Sequence, residues 1–139
     1  MALDSTLTLV KGKWNQHDIE KGYKRHLGFF KKKVTVIEKE SLFRWRNDWG
    51  IHGEFFNLYH QSTSKEADPY EFNTTKVVVP KERLCQMLTN FKDELGRLSK
   101  LDGNFGWRIR ELEEQISAFA KILNETDFAK ETVIYNSSW

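Results

Sequence analysis

The stretch 74–135 constrains the fold most. A β-branched run, Thr74–Val79, is cut by Pro80, two amphipathic stripes follow, and a second β-branched run closes it at Thr132–Tyr135. Such runs read as strands. Proline is suited to the first position of a helix, where its missing N–H leaves nothing unsatisfied. Leu84, Met87, Leu88, Phe91 and Leu95 then recur at three- and four-residue steps, the spacing of one helical face, and Gly96 is the expected stop. Gly103 and Gly106 mark a loop. Ile109, Leu112, Ile116, Phe119 and Leu123 repeat the spacing, predicting a helix over Trp107–Leu123.

Upstream, Leu7–Val10 and Val34–Glu38 read as strands. Lys11–Lys33 mixes aromatics with many lysines and reads as a short helix after Asn15 or as irregular structure. Gln61–Asp68, ahead of Pro69, is a polar loop. Ser41–His60 reads as a helix, with Leu42, Trp45, Trp49, Phe56 and Tyr59 on one face. Gly50 and Gly53 inside it mark a close approach of a neighbour or a local break. The expected architecture is α+β: about four short strands in an antiparallel or mixed sheet, packed against three main helices, in a single domain over 1–139.

The chain has 139 residues, enough to bury a core without disulfides or metal. One cysteine, Cys85, excludes an internal disulfide and a cysteine zinc cluster; beside a helical stripe it is expected to be buried. With no apolar N-terminal run and no apolar segment of membrane-spanning length, the expectation is a protein of the cytosol with no membrane partner. Residues 1–46 hold 11 Lys+Arg against 5 Asp+Glu, and the remainder 11 against 15. A basic face of this kind can bind anions, or simply balance acidic helices.

No nucleotide-loop, nucleophile-elbow or metalloprotease motif is present. His52-Gly-Glu54 has the H-x-E spacing of zinc deaminases without the paired cysteines that would complete the metal site. No cofactor or metal is expected, and an enzyme is not the favoured reading. Interest settles on Arg44–His52, where Arg44, Trp45, Arg46, Asn47, Trp49 and His52 crowd together. Arginine forks grip phosphate or carboxylate, and tryptophan stacks on bases. The bland reading makes the tryptophans core and pairs the arginines with acidic side chains. The C-terminal Tyr135 and Trp139 are a second point of interest, as residues packed or used rather than frayed.

These segments carry a resemblance. Ala2-Leu3-Asp4, the run Trp45–His52 with Phe55-Phe56, Lys121–Leu123 before Asp127-Phe128, and the ending Ile134–Trp139 are similar, in order, to a family of small uncharacterised bacteriophage proteins. That family carries a central W-R-K-A-N-x-I-H motif and a C-terminal Y-x-S-S-W ending. Its Lys, Ala and Asn are Asn47, Asp48 and Trp49 here. The resemblance implies a phage origin and no particular activity.

The expectation drawn is a phage-encoded binding protein acting in the host cytosol, a counter-defence factor that sequesters a host nucleotide signal. Its ligand-binding residues would be Trp45, Arg46, Asn47, Trp49, His52, Tyr135 and Trp139, with Arg46 on phosphate and a tryptophan on the base. The alternatives are an inhibitor docking on a host protein and weak nucleic-acid binding through the basic N-terminal third. Assembly into a homo-oligomer would suit a pocket formed between subunits.

Overall fold

The computed structural model describes residues 3–26, 30–34, 38–63, 75–101 and 103–139. The fold is α+β, with a four-stranded antiparallel sheet and, among the described residues, four helices of which three are long. The chain forms two compact units, residues 1–79 with 128–139, and residues 80–127.

The first unit carries the sheet. Its strands are β1 (Asp4–Lys11), β4 (Glu38–Arg46), β5 (Val77–Val79) and β6 (Glu131–Ser138), in the order β4-β1-β6-β5. A separate hairpin pairs β2 (Tyr23–His26) with β3 (Phe30–Lys33). Alternation along β1 and β6 divides the sheet into two faces. Leu7, Leu9, Val133, Tyr135, Val77 and Val79, all buried, share one face. Helix α2 (Trp49–Thr63) lies on it, burying Ile51, His52, Phe55, Leu58 and Tyr59, a stripe at helical spacing. Phe55 stacks on Tyr135 with centroids 4.1 Å apart.

The opposite face is apolar at one end only. Val10, Trp14, Ile19 and Ile134 form a buried cluster there, joined by Val34 and Val78. Helix α1 (Gln16–Lys21) supplies Ile19; Asn15 caps it by accepting from the Asp18 amide, and Gly22 ends it in the left-handed conformation at φ 66°. Gln16 reaches across to β5. Its amide oxygen accepts from Val78 N (2.7 Å) and its amide nitrogen donates to Lys76 O (2.8 Å), standing in for a neighbouring strand on that short edge.

The second unit is a helical pair, α3 (Lys81–Ser99) and α4 (Gly106–Glu125). Leu84, Met87, Phe91 and Leu98 are buried on α3, and Leu112, Gln115, Phe119 and Ile122 on α4. Phe91 meets Phe119 edge-on at 5.0 Å. Arg108 bridges Glu94 at 2.6 Å and also pairs with Glu111.

Several expectations change. Ser41–His60 is not one helix: β4 runs to Arg46, Asn47 takes a left-handed φ of 57°, and α2 begins at Trp49. Leu42, Trp45 and Trp49 happen to fit helical spacing across that break, whereas Phe43 and Trp45 against Arg44 and Arg46 follow the two-residue period of a strand. Neither explanation offered for the glycines holds: α2 runs unbroken through Gly50 and Gly53, a Cβ at Gly53 would meet open space, and one at Gly50 would meet only Asp48 Oδ1 at 3.4 Å. Gly96 does not stop α3, because its exposed position lets the helix run on to Ser99. Cys85 is exposed, one step off the Leu84–Met87–Phe91 stripe. Of the expected strand Val34–Glu38, residues 35–37 lie outside the described residues and Glu38 opens β4. Gln61–Thr63, expected as the start of the polar loop, continue α2, while residues 64–68 of that loop and Thr74 lie outside the described residues.

Candidate functional site

At one end of the sheet, β4 turns into α2 within two residues. Asn47 clamps this corner to β1: its backbone amide donates to Leu3 O (2.8 Å), and its side-chain oxygen accepts from Leu3 N (3.0 Å). Asp48 follows as the helix cap, its carboxylate accepting from Ile51 N at 3.0 Å. Asn-Asp is thus the sequence signal for the break: the first residue tolerates left-handed backbone and the second caps.

The corner aims Trp49 and His52 at the end of β6. The His52 ring meets Trp139 edge-on at 4.9 Å, and Trp49 meets both Trp139 (5.9 Å) and His52 (5.6 Å) in the same manner. Trp49 is 50% exposed, Trp139 is half-buried and His52 is buried. The result is an indole pair at the surface with an imidazole beneath it.

Behind His52 lies a polar chain. Its Nδ1 is 2.6 Å from the Tyr135 hydroxyl, which is 3.1 Å from Ser5 Oγ. Burial holds the imidazole below its ordinary value. Burial also pushes the Tyr135 phenol up to about 12, outweighing the Ser5 hydrogen bond, which acts in the other direction. At neutral pH both groups are therefore uncharged. Both bonds are met when Ser5 donates to the phenol and the phenol donates to Nδ1, leaving the imidazole proton on Nε2.

Trp45 lies on the same sheet face, 6.1 Å from the Tyr135 ring, and stacks with Phe43 at 5.3 Å. Its Nε1 is buried without an acceptor among the described residues. Arg46 points to the other face. Its Nε lies 2.7 Å from Asp4 Oδ1, and its side chain is 67% exposed. Strand alternation thus separates Arg46 from Trp45, while register keeps Arg46 near the indoles: Arg46, Asp4 and Ser138 form one cross-strand row, and Trp139 is the next residue.

Of the seven residues singled out, Trp49, His52, Tyr135 and Trp139 come together, with Trp45 beside Tyr135. Arg46 sits one row away on the far face, and Asn47 spends its side-chain oxygen on the corner. Sequence reasoning missed Ser5, whose alternation with Leu7 along its strand was the available signal. It also missed the open polar groove of about 340 Å³ on the far face, where Thr6, Thr8, Glu38 and Arg44 converge. Among the described residues no group of three His, Cys, Asp or Glu is placed to hold a metal, and no helix is long and apolar enough to cross a membrane.

The chain matches no protein-family model, and no curated protein or solved structure resembles it significantly.

Proposed function

We propose that this chain is a non-enzymatic binding protein for a nucleotide-like anion, held at the sheet end by Trp49, Trp139 and Arg46. The observation that carries this reading is Trp49, half exposed and braced edge-on by both His52 and Trp139, the latter one residue beyond the strand row that holds the exposed, Asp4-paired guanidinium of Arg46. A planar base finds a stacking surface on the indoles, and a phosphate finds the Arg46 fork. His52 and Tyr135 lie beneath as uncharged, mutually bonded supports. Buried and committed to each other, they brace the indoles rather than transfer protons to a ligand. Taken with the resemblance to phage proteins, the ligand would be a host nucleotide signal and the role counter-defence by sequestration in the host cytosol.

The test is native mass spectrometry of the protein purified from a bacterial lysate, with identification of any released small molecule. A stoichiometric nucleotide is expected, lost in Trp49→Ala and Arg46→Ala while the thermal midpoint stays within a few degrees. Neither substitution touches a buried contact of large area, so little stability is at stake. Retention of the nucleotide in both variants, or no nucleotide from infected as well as uninfected lysate, overturns the proposal.

A further inference from the structure

Strand β4 is an edge: among the described strands it pairs with β1 alone. Its first half is blunted. Register shifts at Lys39 and Leu42 bulge the strand, and Glu38, Lys39 and Glu40 are exposed and charged. Bulges and charges of this kind protect an edge against further pairing. The second half has neither bulge nor acidic residue. Phe43–Arg46 runs in unbroken register with Leu7–Asp4. Phe43 and Trp45, stacked and half-buried, face one side, and Arg44 and Arg46, both exposed, face the other. Arg44 has no carboxylate partner within ion-pair distance among the described residues.

An unpaired backbone edge, an aromatic row on one side and a basic row on the other specify what can add to it. The added strand must itself alternate, with apolar side chains over Phe43 and Trp45 and acidic ones beside Arg44 and Arg46, because directly opposed cross-strand neighbours interact pairwise. Glu38 and Glu40 repel the same acidic chain at the bulged end and so confine it to the arginine end.

We propose that the Phe43–Arg46 edge is a docking site for an extended peptide segment of a protein partner in which acidic and apolar residues alternate, bound by strand addition. The site is distinct from the indole pair, although Arg46 borders both.

Fluorescence anisotropy of a labelled peptide of alternating Val and Glu tests it, against the same peptide with Lys for Glu and a third with N-methylated backbone amides. The Val-Glu peptide is expected to bind, and the other two are not. Arg44→Glu should lower affinity about tenfold, the effect of roughly 1.4 kcal/mol. The double variant Arg44→Glu with Arg46→Glu should switch preference to the Lys peptide. Trp49→Ala, which removes the nucleotide platform, should leave peptide binding unchanged, so this proposal and the nucleotide reading fail separately. Equal binding of the Glu and Lys peptides, undiminished binding of the N-methylated peptide, no binding, or self-association of the protein through this edge each overturns it.

Discussion

The imidazole of His52 and the phenol of Tyr135, 83 residues apart in sequence, meet at 2.6 Å between α2 and β6. Protonation of the imidazole puts a hydrogen on Nδ1 and forces the chain through Tyr135 to reverse, while placing a charge where burial disfavours it. Because the folded-state value lies below the ordinary 6.5, the unfolded chain binds the proton more readily. Stability is thus full above about pH 6.5 and falls as the pH drops below it, by at most about 1.4 kcal/mol per unit. Chemical denaturation at pH 7.5 and 5.5 should show this loss in the wild type, with the difference reduced in His52→Gln. An equal difference in both would place the acid sensitivity elsewhere.

Tyr135→Phe keeps the stack on Phe55 and removes only the hydroxyl. It leaves His52 Nδ1 and Ser5 Oγ without that partner, at a cost of roughly 1–3 kcal/mol. The phenol's raised value has the opposite pH signature. The unfolded chain ionises near the ordinary 10 and the folded one near 12, so stability from this group is intact below pH 10 and lost as the pH rises through 12. Thermal midpoints measured at pH 8 and 11 should converge between wild type and variant on the alkaline side.

Asn47 combines a left-handed backbone with a two-way clamp on Leu3. Asn47→Ala loses the side-chain bond and keeps the strain of positive φ, so it should destabilise by about 1–3 kcal/mol. Asn47→Gly loses the bond and relieves the strain, and should cost less. Urea midpoints of the two variants check the order; Gly falling below Ala would mean backbone strain plays no part.

Gln16→Ala removes the bonds to Val78 N in β5 and to Lys76 O just before it. Hydrogen exchange is the sensitive readout, because the Val78 amide that donates to Gln16 should lose protection while amides of β1 keep theirs. A global loss of roughly 1–2 kcal/mol should accompany it. Unchanged exchange at Val78 would remove Gln16 from this role.

The parts of this fold legible in the sequence were those whose periodicity is unopposed. Leu84–Phe91 and Ile109–Phe119 announce α3 and α4 by helical spacing, and Val77–Val79 and Thr132–Tyr135 announce strands as short β-branched runs. The arginine–tryptophan segment was ambiguous, since tryptophans four residues apart satisfy a helix even when a strand ends between them. The left-handed Asn47 and capping Asp48 decide the matter, and that preference is two residues long. The site was legible as a set of residue types: Trp49, His52, Tyr135 and Trp139 do converge. Which face each residue takes was not legible, since a strand sends Arg46 and Trp45 to opposite sides where a helix would hold both near one groove. Ser5, an ordinary small residue in a strand, acquires its role only from the register that brings it to Tyr135.

The Gln16 bridge sets a limit on stoichiometry. With one margin of the four-stranded sheet occupied by a side-chain amide and the other bulged over half its length, that sheet has, among the described residues, a backbone valence of one. Any chain that adds to β4 terminates there, because the far margin offers no second place for growth. Assemblies built on this sheet are therefore finite pairs rather than fibres, and a variant that frees β5 by removing Gln16 is the one in which open-ended polymers should first appear.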